Sequence, residues 1–266
     1  MRSEQARRCN VSYRPVELSM IERETVLQNR LLGALKPDDL DLLMPSFTLH
    51  EFAPGKILQE AGTDVRYSWF PLGDAAASFV VAADANHLVD AALIGREGAI
   101  CGLVSSGRLP AYARAHVQFG GRFLRLPLSA LAQARQQSPS IAHWMSRYAD
   151  CLVAQLFQSA ACNASHTIAQ RLSRWLLATR DRICRDEIAI TQEQLGEMLG
   201  VGRSFINRSL RQLGVKGILS SRRRRIVIMD VEQLHAIACG CNERIREHFD
   251  QVLAGVYPHD ADMVAA

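Results

Sequence analysis

The stretch TQEQLGEMLGVGRSFINRSLRQL, residues 191–213, decides the fold. Its first apolar residues recur at helical intervals, Thr191 stands where an N-cap belongs, and Gln194 completes a capping-box pattern. These features predict a helix from about Gln192 to Leu199. Gly200 then supplies a C-cap position that tolerates positive φ, and a second helical pattern follows at once. Two short helices joined by a tight glycine turn form a helix-turn-helix.

The second helix has two contrasting faces. Its predicted inner face is apolar and consists of Phe205, Ile206, Leu210 and Leu213. Its predicted outer face carries side chains that hydrogen-bond base edges or phosphates, namely Arg203, Ser204, Asn207, Arg208 and Arg211. Between Glu197 and Asp230 the chain has seven arginines and one lysine but no acidic residue, whereas a solvated helical hairpin normally mixes charge signs. The pattern predicts double-stranded DNA as the partner.

The helix-turn-helix is followed by a basic hairpin. The segment GILSSRRRRIVIMD, residues 217–230, has short apolar runs on both sides of four arginines, which predicts strand, turn and strand. A hairpin in this position is a wing, and its charge suits a phosphate backbone. The residues expected to clamp phosphates are Arg222, Arg223, Arg224 and Arg225.

The composition is that of a globular protein with room for two domains. The chain has 266 residues, of which 48% are hydrophobic and 22% are charged. The net charge of +4 is modest, so the local concentration of positive charge, and not the total, predicts nucleic-acid binding. No apolar run approaches the roughly 18 residues that span a bilayer, and no signal-peptide pattern is found. We therefore expect a cytoplasmic protein without a membrane partner.

Two regions precede the helix-turn-helix. From Leu31 to about Pro127, short apolar runs alternate with turn residues, which predicts an all-β roll or sandwich without a helix of useful length. From Ser138 to about Arg182 there is no glycine, and Pro139 is the one proline, so a long helix is predicted. Eight residues of this helix recur at alternating intervals of four and three, as the a and d positions of a coiled coil do. They form a seam that either packs on the β domain or pairs with a second copy of the chain. The seam consists of Ile141, Met145, Tyr148, Leu152, Gln155, Ser159, Cys162 and His166.

This order of β roll, long helix, helix-turn-helix and basic wing resembles the Crp/Fnr family of bacterial transcription regulators. The resemblance covers roughly residues 31–235 and is most specific over residues 190–230. It implies an α+β fold with an N-terminal β roll of the cyclic-nucleotide-binding jelly-roll type, a long dimerisation helix and a C-terminal winged helix-turn-helix. The implied segments are a flexible extension 1–30, a sensor-like roll 31–137, a dimerisation helix 138–166, a DNA-binding domain 167–240 and a tail 241–266.

The same resemblance implies a homodimer that binds a palindromic operator, with RNA polymerase as a further partner. Arg203 and Arg208 occupy the positions at which family members contact guanines. Ser204 stands where many members have a base-reading glutamate, and Gly202 replaces the usual Ser or Thr cap. The operator should therefore differ from the common family half-sites, although two arginines still favour G·C pairs.

The roll departs from the cyclic-nucleotide-binding members of the family, which hold the ribose with a glutamate and the cyclic phosphate with an arginine. Over residues 95–118, Ile100 stands at the glutamate position and Ala113 at the arginine position. Glu97 and Arg114 are out of register, and in a strand a shift of one residue turns a side chain to the other face. We expect a scaffold or a sensor of something else, with an unknown effector; a cyclic-nucleotide-responsive regulator is the alternative.

Cysteine and histidine residues offer two candidate metal or thiol sites. The seven cysteines lack a framework spacing, and Cys9 alone lies in the N-terminal extension, which argues against an iron–sulfur cluster there. Cys162 and His166 are one helical turn apart and would double across a two-fold axis, while Cys239-Gly-Cys241 with His235 is a second candidate. The favoured interpretation is small residues in a seam or core, so no metal and no cofactor is assigned. A thiol- or metal-responsive regulator is a further alternative.

No catalytic pattern accompanies these features. The sequence lacks the H-x-H pair of a cupin, a G-x-S-x-G elbow, a P-loop and an H-E-x-x-H helix, so we do not expect an enzyme. An interaction module without DNA binding would leave the acid-free basic stretch unexplained. The sequence therefore favours a DNA-binding regulator.

Overall fold

Seven antiparallel strands form a β roll in the computed structural model, which describes residues 21–84, 87–102 and 109–253. The strands are β1 Thr48–Phe52, β2 Ile57–Gln59, β3 Tyr67–Pro71, β4 Ala76–Asp84, β5 His87–Ile94, β6 Arg114–Phe119 and β7 Gly121–Pro127. One sheet has the order β1-β7-β3 and the other β2-β6-β4-β5. Within the first sheet, the ring of Phe52 contacts those of Trp69 and Phe123 at centroid distances of 5.4 and 5.8 Å, and these rings share a core with Ile94 and Val117 of the other sheet. The predicted β roll is confirmed, but the prediction that it starts at Leu31 without a helix is wrong, because residues 37–43 are helical and the first strand begins at Thr48.

Three short helices precede the roll, where the sequence predicted an extension up to residue 30. They are α1 Arg23–Leu27, α2 Arg30–Gly33 and α3 Pro37–Leu43. The prediction of a flexible segment is wrong for residues 23–30, because Val26 is fully buried and Asn29 caps α2 from inside the core. The Asn29 amide donates to the carbonyl oxygens of Pro71 (3.0 Å) and Gly98 (2.9 Å) and so attaches these helices to the roll. Residues 1–20 lie outside the described residues.

Two helices follow the roll. An unpredicted helix, α4 Leu128–Gln137, leads into α5 Pro139–Ser165, which confirms the predicted long helix. The Tyr148 hydroxyl of α5 donates to the Ala99 carbonyl (3.0 Å) and accepts from the Ala99 amide (2.9 Å). None of the described helices has the length and apolarity that a membrane span requires.

The first half of the predicted seam of α5 packs inside the chain, as the first of the two alternatives left open by the sequence expects. Ile141, Met145 and Tyr148 are buried in the same core as Ile245 and Phe249 from near the C-terminus. Those two residues lie on a helix, α10 Cys241–Leu253, that packs along α5. The prediction of a tail from residue 241 is therefore wrong for residues 241–253; residues 254–266 lie outside the described part of the chain.

The remaining elements form the C-terminal domain. They are α6 Ile168–Ile183, β8 Glu187–Ile188, α7 Gln192–Leu199, α8 Arg203–Val215, β9 Leu219–Arg222, β10 Arg225–Ile228 and α9 Val231–Ile237. The strands form an antiparallel sheet of order β8-β10-β9, so the predicted wing is confirmed and gains a third strand. Ala76, Leu93 and Phe119 of the roll share a core with this domain. The two parts of the molecule are therefore in direct apolar contact.

Candidate DNA-binding surface

The geometry of the helix-turn-helix follows from a few local signals. The Thr191 side chain accepts from the Gln194 amide (3.1 Å), and the Gln194 side chain accepts from the Thr191 amide (3.0 Å), which confirms the predicted capping box. Gly200 ends α7 at φ 63°, in the left-handed region. A Cβ on Gly196 would lie 2.7 Å from the Val201 carbonyl oxygen, so only glycine allows the turn after α7 to fold back this closely against the helix.

The outer face of α8 is open to solvent and basic. Arg203, Ser204, Arg208 and Arg211 are exposed, and no acidic side chain lies within α8. Asn207 is half-buried because its amide donates to Gln192 of α7 (3.2 Å). The structure thus brings together all five predicted side chains of this helix.

One prediction for α8 is wrong. Phe205 was placed on the inner face, yet it is 51% exposed. The inner face instead consists of Ile206, Ser209, Leu210 and Leu213, which are spaced by three and four residues. Phe205 lies one residue ahead of this stripe, on its flank, where the ring is only partly covered. The N-cap residue Gly202 makes no side-chain hydrogen bond, as its sequence predicts.

The arginines of the wing differ in their contacts and in their backbone conformation. Arg222 and Arg225 face each other across the hairpin, a like-charge pairing that is unfavourable unless an anion lies nearby. Arg225 has such an anion within the chain, because its guanidinium contacts the Glu187 carboxylate at 2.9 Å. Arg224 lies in the turn at φ 63°. The sequence did not reveal the role of Glu187, which lies 38 positions before Arg225 and meets it only when β8 joins the wing sheet.

A family model described as the Crp-like helix-turn-helix domain matches residues 170–237, from α6 to α9. This part of the chain is a Crp-like domain. No curated protein shows significant sequence similarity to the chain. The predicted resemblance is thus confirmed in the segment that carries the most specific motif.

Solved structures extend the likeness to the rest of the chain. FixK2 from Bradyrhizobium japonicum is 18% identical with a TM-score of 0.62, and the alignment covers 73% of this chain and 98% of that one. The c-di-GMP-responsive regulator CLP from Xanthomonas campestris is 13% identical with a TM-score of 0.60, over 73% and 100% of the two chains. TTHB099, a CRP-family regulator from Thermus thermophilus, is 16% identical with a TM-score of 0.60, over 71% and 95%. The roll, long helix and Crp-like domain therefore have the fold of the Crp/Fnr regulators, as predicted.

Two charged residues of the candidate effector region, Glu97 and Arg114, form ion pairs within the chain. Glu97 accepts from the Gly95 amide (3.1 Å) and pairs with Arg182 of α6 at 2.7 Å. Arg114 pairs with Glu60 at 2.9 Å. Ile100, at the position of the family's ribose-binding glutamate, is fully buried. Residues 103–108 of the same segment lie outside the described residues.

Residues from both candidate metal or thiol sites lie side by side in the structure. Cys162, His166, Cys239 and Cys241 have ligand atoms that all lie within 4.8 Å of one another. His235 takes no part, since its Nδ1 is 3.6 Å from the Glu243 carboxylate instead. Burial raises the pKa of the Cys162 thiol to about 12, and Arg174 acts in the opposite direction. The sequence presented these residues as two separate candidates, and the structure unites them within one chain.

Proposed function

We propose that this protein is a sequence-specific, DNA-binding transcription regulator of the Crp/Fnr type that acts as a homodimer on a palindromic operator. The observation that carries the proposal is the exposed, acid-free outer face of α8 within a Crp-like domain. Two such helices about 34 Å apart would meet successive major grooves on one side of the duplex. The protein would act in the cytoplasm by binding and not by catalysis, and the bound dimer would contact RNA polymerase.

Base and phosphate contacts divide between α8 and the wing in this proposal. Arg203 and Arg208 contact base edges, and Ser204 and Asn207 supplement them. Arg211, farther along α8, and the wing arginines Arg222, Arg223 and Arg224 contact phosphates, which position the domain without sequence preference. Arg225 contributes less than its neighbours because Glu187 already neutralises it.

Selection of bound sequences from a random duplex pool tests the proposal directly. The expected result is a palindromic motif with G·C pairs at symmetric positions. Arg203→Ala should flatten the preference at one symmetric base pair, because a bidentate arginine contact contributes about 1–3 kcal/mol of discrimination. Arg223→Ala should weaken binding to all sequences and reduce its salt dependence.

Arg66→Ala, which removes an exposed arginine from the roll, is the matched control and should leave the motif intact. Equal loss of specificity in the Arg203→Ala and Arg223→Ala proteins would contradict the assignment of base contacts to α8 and phosphate contacts to the wing.

The face of α5 that pairs two copies differs from the predicted seam. That seam is buried within the chain, whereas Val153, Leu156 and Phe157 are 45%, 47% and 71% exposed on the same helix. Their spacing of three and four residues places them on one stripe. We assign the dimer contact to this stripe, because exposed apolar side chains at helical spacing are the surface that a second α5 would cover.

Measurement of the molar mass in solution tests the dimer. Wild-type protein should be a dimer at micromolar concentration, and Phe157→Glu should shift it toward the monomer because a charge enters the apolar contact. Tyr112→Glu is the control, since Tyr112 is 87% exposed on the roll and its replacement should leave the mass unchanged. A Phe157→Glu protein that remains dimeric would move the interface elsewhere.

We further propose that cyclic AMP does not control this regulator in the manner of the family's nucleotide-binding members. Supporting this, Ile100 fills the position of the ribose-binding glutamate, and Glu97 is engaged with Arg182. DNA affinity should be the same with and without cyclic AMP, and equilibrium dialysis should detect no bound nucleotide. A cyclic-AMP-dependent gain in operator affinity would restore the nucleotide-responsive alternative.

A further inference from the structure

A compact group of metal-binding side chains lies where α5 ends and α10 begins. Cys162 is in the last turn of α5, and His166 is the residue that ends this helix. Cys239 lies in the connection between α9 and α10, and Cys241, beyond Gly240, is the first residue of α10. The three cysteines are buried together and His166 is half-buried. Two helical segments separated by more than seventy residues thus contribute two potential ligands each.

The spacing of the four ligand atoms matches a single tetrahedral ion. Sulfur atoms about 2.3 Å from a zinc ion at tetrahedral angles are about 3.8 Å apart. Here the Cys162 and Cys239 Sγ atoms are 3.6 Å apart, and Cys241 Sγ is 3.6 Å from His166 Nδ1. All remaining distances are within 4.8 Å. A small contraction of the side chains therefore places every donor at bonding distance from one centre.

The donor set selects the metal. Three thiolates and one imidazole form a Cys₃His site, which is a common structural zinc site, whereas carboxylate and carbonyl ligands would favour magnesium or calcium. An iron–sulfur cluster typically uses four cysteines bound to separate iron ions, and this group has three cysteines packed around one point. Because all four positions are filled by the protein, the site is of the closed, structural kind.

Ordinary core packing explains the cluster less well than a metal does. Buried cysteines often act as small apolar residues, but an apolar core does not place an imidazole nitrogen against a thiol. His166 does this through Nδ1, and the Gln158 amide donates to Cys241 Sγ at 3.1 Å. Hydrogen bonds of this kind from outside the ligand shell hold a metal thiolate in place. Arg174 adds a positive charge beside Cys162, which balances the excess negative charge of three thiolates.

We propose that Cys162, His166, Cys239 and Cys241 bind one Zn²⁺ ion within each chain. The ion fastens the end of α5 to the connection between the Crp-like domain and α10. Because α5 carries the exposed apolar stripe and the Crp-like domain carries α8, the ion fixes the link between these two surfaces. This proposal rests on the side-chain cluster alone and is independent of whether the protein binds DNA.

Metal binding by the full-length protein tests the proposal. The reduced wild-type protein should hold about one zinc ion per chain, and Co²⁺ in its place should give the intense absorption of a tetrahedral thiolate complex. Cys239→Ser and Cys241→Ser should each weaken zinc binding by at least about tenfold. Cys184→Ser removes an exposed cysteine outside the cluster, and His235→Gln removes the histidine that the sequence alone associated with Cys239 and Cys241; both should bind zinc like the wild type. Loss of zinc in the His235→Gln protein and retention in a His166→Gln protein would overturn the ligand assignment.

A second measurement avoids variants and therefore any effect of substitution on folding. The wild-type protein is stripped of metal under reducing conditions and treated with an alkylating reagent, with and without added Zn²⁺, and the modified cysteines are identified by mass spectrometry. Zinc should protect Cys162, Cys239 and Cys241 and leave the exposed Cys184 as reactive as before. Equal alkylation with and without zinc would overturn the proposal, as would a Cys162–Cys239 disulfide that forms readily in a protein unable to take up zinc.

Discussion

At the scale of a single residue, Asp90 on β5 makes the stability of the folded protein depend on pH. Burial raises the pKa of its carboxyl group from 3.8 to about 6, and the Ser78 hydroxyl opposes this only in part. Between these two pH values the folded protein retains a proton that the unfolded chain has released. The stability that this proton provides is complete below about pH 4 and is lost as the pH rises through 6.

Replacement of Asp90 by asparagine should therefore stabilise the protein at neutral pH. We expect Asp90→Asn to raise the free energy of unfolding by about 3 kcal/mol at pH 7.5 and to change it little at pH 4, because each pKa unit corresponds to roughly 1.4 kcal/mol. Urea unfolding at both pH values measures the difference. Asp64→Asn, at an exposed position, should have little effect at either pH. A gain of equal size at both pH values would mean that the carboxyl group is not the cause.

Arg224 lowers the stability of the wing turn through its backbone conformation, while its side chain is one of those proposed to bind phosphate. Its φ of 63° lies in the left-handed region, which costs a residue with a Cβ about 1–2 kcal/mol and which asparagine tolerates better. Arg224→Asn should raise the free energy of unfolding by about 0.5–1 kcal/mol and weaken DNA binding without changing the preferred sequence. The neighbouring Arg223→Asn should weaken binding without the gain in stability. Identical stability of the two variants in thermal unfolding would argue against backbone strain in this turn.

At the scale of elements, the contact between α5 and the roll depends on a glycine. A Cβ on Gly98 would lie 2.2 Å from the Tyr148 hydroxyl oxygen and 3.0 Å from an Ile94 methyl carbon. Gly98→Ala should lower the free energy of unfolding by about 2 kcal/mol, because it forces α5 away from its hydrogen bonds to Ala99. Gly214→Ala in α8 is the opposite control, since its Cβ meets nothing closer than 3.6 Å and alanine favours a helix. Chemical denaturation of both variants should give changes of opposite sign.

The accuracy of prediction from sequence also varied by element. The helix-turn-helix and wing were predicted because their signals are local: Thr191 and Gln194 lie three residues apart, and Gly200 follows the helix that it ends. The helices before the roll and α10 were missed because their stability comes from distant partners. Asn29 bonds to carbonyl groups 42 and 69 residues away. The apolar spacing of Ile245 and Phe249 was a usable signal for α10.

Local signals also decided which residues of the candidate sites could be predicted from the sequence. Outer-face residues of α8 could be assigned because the helical period fixes their direction. The metal cluster could not, since Cys162 and Cys239 are 77 residues apart and only the packing of α10 on α5 brings them together. The partner of Arg225 was hidden for the same reason, because Glu187 reaches it through sheet pairing.

At the scale of the whole molecule, a largely buried ion pair connects the roll to the Crp-like domain. Glu97 and Arg182 are 19% and 13% exposed, so removal of either charge leaves the other poorly solvated. Glu97→Gln and Arg182→Gln should each lower the free energy of unfolding by about 3 kcal/mol, and the double variant should lose clearly less than the sum. The pair Glu60–Arg114 lies within the roll, is 47% and 42% exposed, and should contribute less than about 1 kcal/mol. Strict additivity at Glu97 and Arg182 would show that the two residues do not act as a pair.

The path of the chain around the Crp-like domain limits how that domain can move. The chain enters the domain after His166 and leaves it at Cys239, and these two crossing points lie side by side in the cysteine and histidine cluster. Once the apolar and ionic contacts between this domain and the roll open, the domain stays attached at these crossing points and turns about them, so displacement grows with distance from the cluster. The wing tip is then the end of a lever, and a small rotation at the cluster becomes a large shift of Arg223 relative to a phosphate. Spin labels at the wing would report this motion strongly, and labels beside Gly240 would remain almost still.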